Sequence, residues 1–261
     1  MTRLRRICTV AVLVLFSLTA LAQSPWGRVL SGAMKAGQAM TITDEELAKA
    51  VREEVEAMDR NNKVCGTSNA YTKRLARLTK GMKDADGIKL NFKVYQTTDI
   101  NAFACPDGSV RVFSALMDLL SDNELLGVIG HEIGHVALRH SKKTWRSALL
   151  RSAASDAMGA MSDTWASLSD SFIGDLSSAA LSAKHSRYHE TQADDYGYDF
   201  LKRCGKNPWA MGLALKKMKA LSKQGDSKYE QFLSAFSSHP DFDQRIERMR
   251  MKSEEEGYKT Q

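Results

Sequence analysis

The sequence has 261 residues, of which 43% are hydrophobic and 26% are charged; this is an ordinary globular composition and excludes a disordered or collagen-like chain. Only 4 Pro and 17 Gly are present, which argues against a fold dominated by loops. The net charge of +6 would favour nucleic acid or a membrane surface as a partner if the basic residues formed a patch. No basic stripe interleaved with aromatic residues occurs, so we predict that the protein does not bind nucleic acid.

Residues 1–22 have the three parts of a secretory signal peptide. A start with three Arg precedes the apolar run Ile7–Phe16, and Ala20-Leu21-Ala22 supplies the small residues that precede a cleavage site. We expect cleavage after Ala22, which leaves residues 23–261 as a single domain in the periplasm or, alternatively, secreted. The uncharged stretch of 16 residues is shorter than the roughly 20 that a spanning helix needs, so an uncleaved anchor is the less favoured alternative. Cleavage lowers the net charge to +3, because the segment contains three Arg and no acidic residue.

Helices and short strands follow in the first half of the chain. A capping box at Thr43-Asp44-Glu45-Glu46 begins a helix. Alternating apolar and polar residues from Ile88 to Val94 indicate a half-buried strand, and Pro106-Asp107-Gly108 is a turn signal between two further strands. The patterns predict two helices and three strands, over residues 44–58, 70–82, 88–94, 101–104 and 109–113.

The second half is almost entirely helical in pattern. Ser121-Asp122-Asn123-Glu124 is another capping box, and the apolar helix that it begins is predicted to run through His140. Residues 147–183 are rich in Ala, Ser, Gly and Met and resemble a mobile helical hairpin. Further helices are predicted over residues 186–204, 208–222 and 241–256. The fold class is therefore α+β, mostly α-helical, with one small sheet.

The cysteines suggest one disulfide bond. Cys8 lies in the predicted signal peptide, so three cysteines remain, and an oxidising compartment would pair two of them. Cys65 and Cys105 lie in loop-like sequences, whereas Cys204 lies in a helical pattern, where a buried free thiol is common. We predict a Cys65–Cys105 bond, which would close a loop of about 40 residues and stabilise the fold by roughly 3–4 kcal/mol.

The motif His131-Glu132-Ile133-Gly134-His135 carries the chemistry. Residues four apart share a helix face, so both imidazoles can reach one ion at about 2.0–2.1 Å. Glu132 lies one position round the helix, where it can reach a water beside the ion and act as a general base. The pattern predicts a single zinc ion per chain, although cobalt or manganese would accept the same ligand types.

A zinc hydrolase needs a third protein ligand, and several residues downstream can supply it. Glu190 and Asp194 are four apart on a second predicted helix, so one carboxylate can bind the metal while the other holds a ligand His through its second nitrogen. His239 and Arg245 are candidate donors to the oxyanion of the transition state, and His239 can instead cover the metal in a resting state. The candidates for the third ligand are His140, His185, His189, Glu190, Asp194, Asp195 and His239.

The predicted strands just before the motif suggest how a substrate binds. Residues 101–104 and 109–113 precede the His131 helix, and an extended peptide can add to the edge of such a sheet through backbone hydrogen bonds. The side chains of the substrate would then be recognised only loosely.

These residues together resemble the Ste24/HtpX/Oma-type zinc metallopeptidases, which are gluzincins, and within them the periplasmic LoiP-like branch. The resemblance rests on His131-Glu132-x-x-His135 with Glu190-x-x-Ala193-Asp194, and it covers roughly residues 40–250. Supporting motifs are Asn101–Ala104, Gly108, Arg111–Leu116, Asp122–Leu125 and the His-Pro segment at His239. It implies a zincin-like metallopeptidase domain with a small sheet beside the motif helix, zinc ligands at His131, His135 and Glu190, a catalytic Glu132 and a supporting Asp194.

The resemblance also implies work on unfolded or misassembled proteins of the bacterial envelope, where peripheral association with the membrane is an open expectation. An alternative is an envelope chaperone or assembly factor with latent or weak protease activity. A purely structural helical protein, which would bind no metal, is the third interpretation. The sequence does not specify an oligomeric state.

Overall fold

The computed structural model describes residues 43–147, 185–222 and 239–260. Contacts divide the chain into two compact units, Met1–Thr43 with Arg146–Ser177 and Asp44–Trp145 with Ser178–Gln261. Nearly all described residues belong to the second unit. The predicted signal peptide and the predicted helical hairpin over residues 147–183 lie outside the described residues, apart from Ser147, and the single-domain prediction stays a prediction.

Helices dominate the described part of the chain, and two small sheets accompany them. The helices are α1 Asp44–Asn61, α2 Ala70–Leu78, α3 Ser114–Leu119, α4 Asp122–Ala137, α5 Arg187–Arg203, α6 Ala210–Ser222 and α7 Phe242–Glu255. The strands are β1 Asp84–Ala85, β2 Ile88–Lys89, β3 Asn91–Tyr95, β4 Ala102–Ala104 and β5 Ser109–Phe113. The predicted α+β, mostly helical fold is confirmed. None of the helices described is both long and apolar enough to cross a bilayer.

The larger sheet has the strand order β3-β5-β4, in which β3 and β5 run parallel and β4 runs antiparallel to β5. Helix α4 is buried along nearly its whole length and packs against β4 on one side and α5 on the other. A carboxylate oxygen of Glu124 accepts the backbone N–H of Ser121, as the capping box predicts. The motif helix is therefore the centre of the core, with the sheet beside it.

The structure corrects three predicted boundaries. The predicted helix over residues 70–82 ends at Leu78, and residues 88–94 contain the end of a β-hairpin, Ile88–Lys89, followed by the separate strand β3. Helix α4 stops at Ala137 and does not run through His140. Arg139 adopts a left-handed conformation with φ 61°, and a new helical segment, residues 140–147, begins after it.

The predicted Cys65–Cys105 disulfide is absent, and both residues are buried free thiols. The backbone N–H of Cys65 donates to Val94 on the outer edge of β3, whereas Cys105 extends β4 and donates to Ser109 of β5. Three interstrand spacings therefore separate the two residues, roughly 14 Å in total, and a disulfide requires Cα atoms within about 7 Å. The prediction was wrong because it took no account of strand order.

Candidate metal centre

Four side chains from three parts of the chain converge beside α4. Nε2 of His131 lies 3.1 Å from Nε2 of His135, and these atoms lie 3.7 Å and 3.4 Å from the carboxylate oxygens of Glu190 on α5. Nδ1 of His239 lies 3.4 Å from Nε2 of His131 and 3.0 Å from Oε1 of Glu190. One ligand atom from each of the four residues lies within 4.8 Å of every other.

This donor set fits one zinc ion. Tetrahedral zinc with bonds near 2.1 Å holds its ligand atoms roughly 3.4 Å apart, and the separations among His131, His135 and Glu190 range from 3.1 to 3.7 Å. Two imidazoles and one carboxylate are also the ligand types of catalytic zinc sites, which keep a fourth position open. His239 lies where it can occupy or border that fourth position.

Close packing of α4 on α5 sets these distances, and glycines allow it. A Cβ atom added at Gly134 would lie 2.9 Å from Cβ of Tyr196, and one added at Gly197 would lie 3.0 Å from the backbone nitrogen of His131. Only glycine permits this approach without displacing a backbone. The spacing brings Glu190 within reach of both motif histidines.

Asp194 and Arg245 support the cluster from behind. The Asp194 carboxylate, completely buried, lies 2.9 Å from Nδ1 of His131. The guanidinium of Arg245 donates to both oxygens of Asp194, at 2.8 and 2.7 Å, and to Glu190 at 2.7 Å. Burial would raise the pKa of the Glu190 carboxyl, but the charges of His239 and Arg245 hold that pKa well below its usual value. Arg245 thus faces carboxylates and is not among the residues that line the cleft.

Glu132 is buried at the base of the cleft. Burial raises the pKa of its carboxyl, and His239 and His131 oppose that rise. Oε1 of Glu132 lies 3.8 Å from Nε2 of His239. Burial would lower the pKa of His239, but Glu190 and Glu132 raise it above its ordinary value. Glu132 and His239 line a cleft together with residues of β4. Ser141, Thr144 and Trp145, from the helical segment 140–147, also line it.

Three more histidines lie near the cluster, two of them against His135, and the sequence does not predict their arrangement. His185 stacks on His135 with ring centroids 4.0 Å apart, and His189 stacks on His140 at 4.1 Å. Nδ1 of His140 lies 3.1 Å from Nδ1 of His135. Burial lowers the pKa of His140 to about 4 and that of His185 to about 3. The spacing of His140 from the motif does not predict its contact with His135, because that contact depends on the turn at Arg139.

The fold and the site define a zinc metallopeptidase: a buried His-Glu-x-x-His helix beside a small sheet, with a carboxylate from a second helix. The profile of peptidase family M48 matches residues 69–253. The chain is 37% identical to the Escherichia coli metalloprotease YcaL, covering 85% of each chain. It is 33% identical to the Escherichia coli metalloprotease LoiP, covering 88% of this chain and 90% of the relative. A protease HtpX homologue from Methanopyrus kandleri is 29% identical over 59% of this chain.

The chain therefore belongs to peptidase family M48, and the resemblance read from the sequence is confirmed. It is a zinc metalloendopeptidase, and zinc is its cofactor. The individual roles of the site residues stay predictions. The geometry brings His131, Glu132, His135, Glu190, Asp194, His239 and Arg245 together. Asp195, another candidate ligand, pairs instead with Arg248 and Lys252.

Proposed function

We propose that this protein is a zinc endopeptidase of the bacterial envelope that hydrolyses unfolded or misassembled proteins. The observation that carries the proposal is the buried cluster of His131, His135 and Glu190 beside Glu132, at the edge of an open β-strand. The basic start, apolar run and Ala20-Leu21-Ala22 of the sequence support export to the periplasm, with secretion as the alternative. Peripheral contact with the membrane fits the same location.

His131, His135 and Glu190 would hold the zinc ion, and Asp194 would fix the ring of His131 through Nδ1. When bound, zinc supplies a Lewis acid that polarises a carbonyl and increases the acidity of water. Arg245 helps to keep Asp194 and Glu190 ionised, because its charge compensates two buried carboxylates. The chain thus supplies a preformed ligand set.

Glu132 would act as the general base and then as the acid. Its carboxylate accepts a proton from the attacking water as the new C–O bond forms at the scissile carbonyl. It returns that proton to the nitrogen as the C–N bond breaks, so that the new amine leaves neutral. Nε2 of His239, which faces the Glu132 side of the cleft, is placed to donate to the negative oxygen that develops on the carbonyl carbon.

The edge of β4 would bind an extended substrate. Asn101 accepts from Phe113 and Cys105 donates to Ser109, so these two residues face β5. Because alternate residues of a strand direct their backbone groups to opposite edges, Ala102 and Ala104 face the cleft. No strand among the described residues pairs with that edge, although the Ala104 carbonyl accepts a hydrogen bond from the Ser141 hydroxyl. Backbone pairing of this kind needs an extended chain, which an unfolded protein presents and a folded one withholds.

The test compares wild type with Glu132→Gln on casein and on a reduced, unfolded protein. We expect Glu132→Gln to bind one zinc ion per chain and to lose cleavage by about 10²–10⁴-fold. The second substrate in its folded, unreduced form should resist the wild-type enzyme. Removal of zinc by a chelator should abolish cleavage, and added zinc should restore it. Equal cleavage by the two variants would refute the role of Glu132.

A second candidate is an envelope chaperone or assembly factor whose protease activity is latent. The position of His239 among the ligand atoms favours it, because a histidine at the fourth position would exclude water from the ion. If His239 covers the metal, His239→Ala should raise the cleavage rate. If His239 stabilises the oxyanion, the same substitution should lower that rate. Rescue of an envelope defect by Glu132→Gln would also favour the chaperone.

A further inference from the structure

The turn that ends α4 brings His140 back to the metal cluster. In a continuous helix, residue 140 would lie about 7.5 Å further along the axis than His135 and about 140° round from it. The left-handed conformation of Arg139, with φ 61°, breaks the helix before that point. As a result, Nδ1 of His140 lies 3.1 Å from Nδ1 of His135, and His140 is 1% exposed.

The contacts of His140 form a directional chain of hydrogen bonds. If Nε2 of His135 binds the metal, Nδ1 of His135 carries the proton and donates to Nδ1 of His140. His140 must then be protonated on Nε2, which lies 3.1 Å from Oε1 of Gln192 and donates to it. The amide nitrogen of Gln192 donates in turn to the hydroxyl of Tyr188 at 3.2 Å, on the exposed face of α5. Each of these three hydrogen bonds thus joins one donor to one acceptor.

We propose that His140 and Gln192 are positioning residues that fix the tautomer and ring direction of the metal ligand His135. The proposal rests on the zinc site of the function proposed above, because it requires His135 to bind zinc through Nε2. His131 already has such a partner in Asp194, and the chain through His140 gives the second histidine an equivalent one. The two partners differ in kind: one is a carboxylate locked by Arg245, and the other is a neutral imidazole held by an amide.

This arrangement has a chemical consequence for the ion. A carboxylate partner raises the basicity of its ligand histidine more than a neutral imidazole does, because it stabilises positive charge on the ring. His135 is therefore held in direction without much added electron donation. An ion bound there would keep more of its Lewis acidity than one with carboxylates behind both histidines.

The experiment measures zinc affinity in the full-length protein by competition with a chromophoric chelator. His140→Leu removes the acceptor for His135 and retains a buried side chain of similar volume. His140→Asn restores an acceptor oxygen near the place of Nδ1. His189→Leu is the matched control, since His189 stacks on His140 but has no hydrogen bond to His135 in the structure. Thermal unfolding of each metal-free protein checks that the fold is retained.

We expect His140→Leu to weaken zinc binding by about 10–100-fold, His140→Asn to recover most of that loss, and His189→Leu to stay within about threefold of wild type. The visible absorption of the cobalt-substituted protein should shift in His140→Leu and not in His189→Leu. If His140 only supported the fold, the two variants would not differ in this way. Zinc affinity of His140→Leu equal to that of wild type would overturn the inference, as would equal losses in His140→Leu and His189→Leu.

The outcomes separate this inference from the proposed function. If wild type cleaves unfolded protein in a Glu132-dependent way but His140→Leu binds zinc normally, only the inference fails. If His140→Leu weakens zinc binding with rescue by His140→Asn, but wild type cleaves no unfolded protein, the proposed function fails and the inference stands.

Discussion

The buried carboxylate of Asp194 lies 2.9 Å from Nδ1 of His131, on the side of the ring opposite the metal-facing nitrogen. The contact selects the tautomer of His131 whose Nε2 has a free lone pair. Burial would raise the pKa of the Asp194 carboxyl, but the charge and hydrogen bonds of Arg245 lower it, so the carboxylate stays ionised.

Asp194→Asn should therefore weaken zinc binding by about 10–100-fold. Asp195→Asn is the matched control, because the neighbouring carboxylate pairs with Lys252 and Arg248 at a partly exposed position, where such pairs contribute only about 0–1 kcal/mol. Chelator competition on both variants measures the difference. Indistinguishable affinities of the two would contradict the role given to Asp194.

The contact of α4 with α5 predicts the effect of one added methyl group. Gly134→Ala places a Cβ 2.9 Å from Cβ of Tyr196, which is fixed to the backbone, so the helices must separate. We expect a loss of roughly 1–3 kcal/mol in the free energy of unfolding, together with weaker zinc binding as Glu190 moves away from His135. Gly66→Ala, where a Cβ would meet nothing within 4 Å, should change neither quantity. Urea unfolding measures the change in stability of both variants, and zinc titration measures the change in their zinc affinity.

A buried ion pair joins α1 to the sheet and predicts a pH dependence. Arg111, 2% exposed, donates through Nε and Nη2 to the two oxygens of Asp59, which Tyr95 and Lys93 also contact. Burial acts to raise the pKa of Asp59, but these hydrogen bonds lower it to about 2 from 3.8. Since the folded state holds the proton less tightly than the unfolded state, the stabilisation is complete above about pH 4 and is lost as the pH falls towards 2.

Asp59→Asn should cost about 3–5 kcal/mol at neutral pH, because it leaves a buried guanidinium without its charge partner. The difference in unfolding free energy between wild type and this variant should shrink between pH 4 and pH 2. Asp199→Asn, at an exposed position on α5, serves as the comparison. A difference that stays constant down to pH 2 would show that Asp59 is not held ionised by Arg111.

The cysteines give a chemical test of the strand order. Burial raises the pKa of both the Cys65 and the Cys105 thiols, so they should react only after unfolding. We expect alkylation in denaturant without reductant to label both residues completely. Peptide mapping that recovers a Cys65–Cys105 linkage from the exported protein would refute the order β3-β5-β4.

The local periodicity of the sequence was sufficient to predict part of the metal site. Residues four apart on a helix share a face in any fold, so the pairing of His131 with His135 needed no tertiary information. Identifying the third ligand required tertiary information, because seven downstream residues had suitable side chains. Only the packing of α5 on α4 brings Glu190 to the motif histidines. The interpretation drawn from the family resemblance agrees with that geometry.

Two of the wrong predictions failed because the features on which they depend leave no local trace in the sequence. A left-handed residue at a helix end is usually Gly or Asn, and here it is Arg139, so the sequence favoured a helix that continued through His140. The pairing of Cys65 with Cys105 was judged from loop-like sequences alone. Whether two loops meet depends on strand order, which is a property of the whole sheet.

The clamp that Arg245 forms on Glu190 and Asp194 has a consequence for the assembly of the site during synthesis. Arg245 lies 114 residues after His131 in the sequence. Until it is made, two carboxylates would have to enter the core without a compensating cation, which is strongly unfavourable. A chain that ends before Arg245 lacks the cation that pairs with Glu190 and Asp194 in the core. We expect a chain truncated before Arg245 to carry the His131 motif without a complete ligand set.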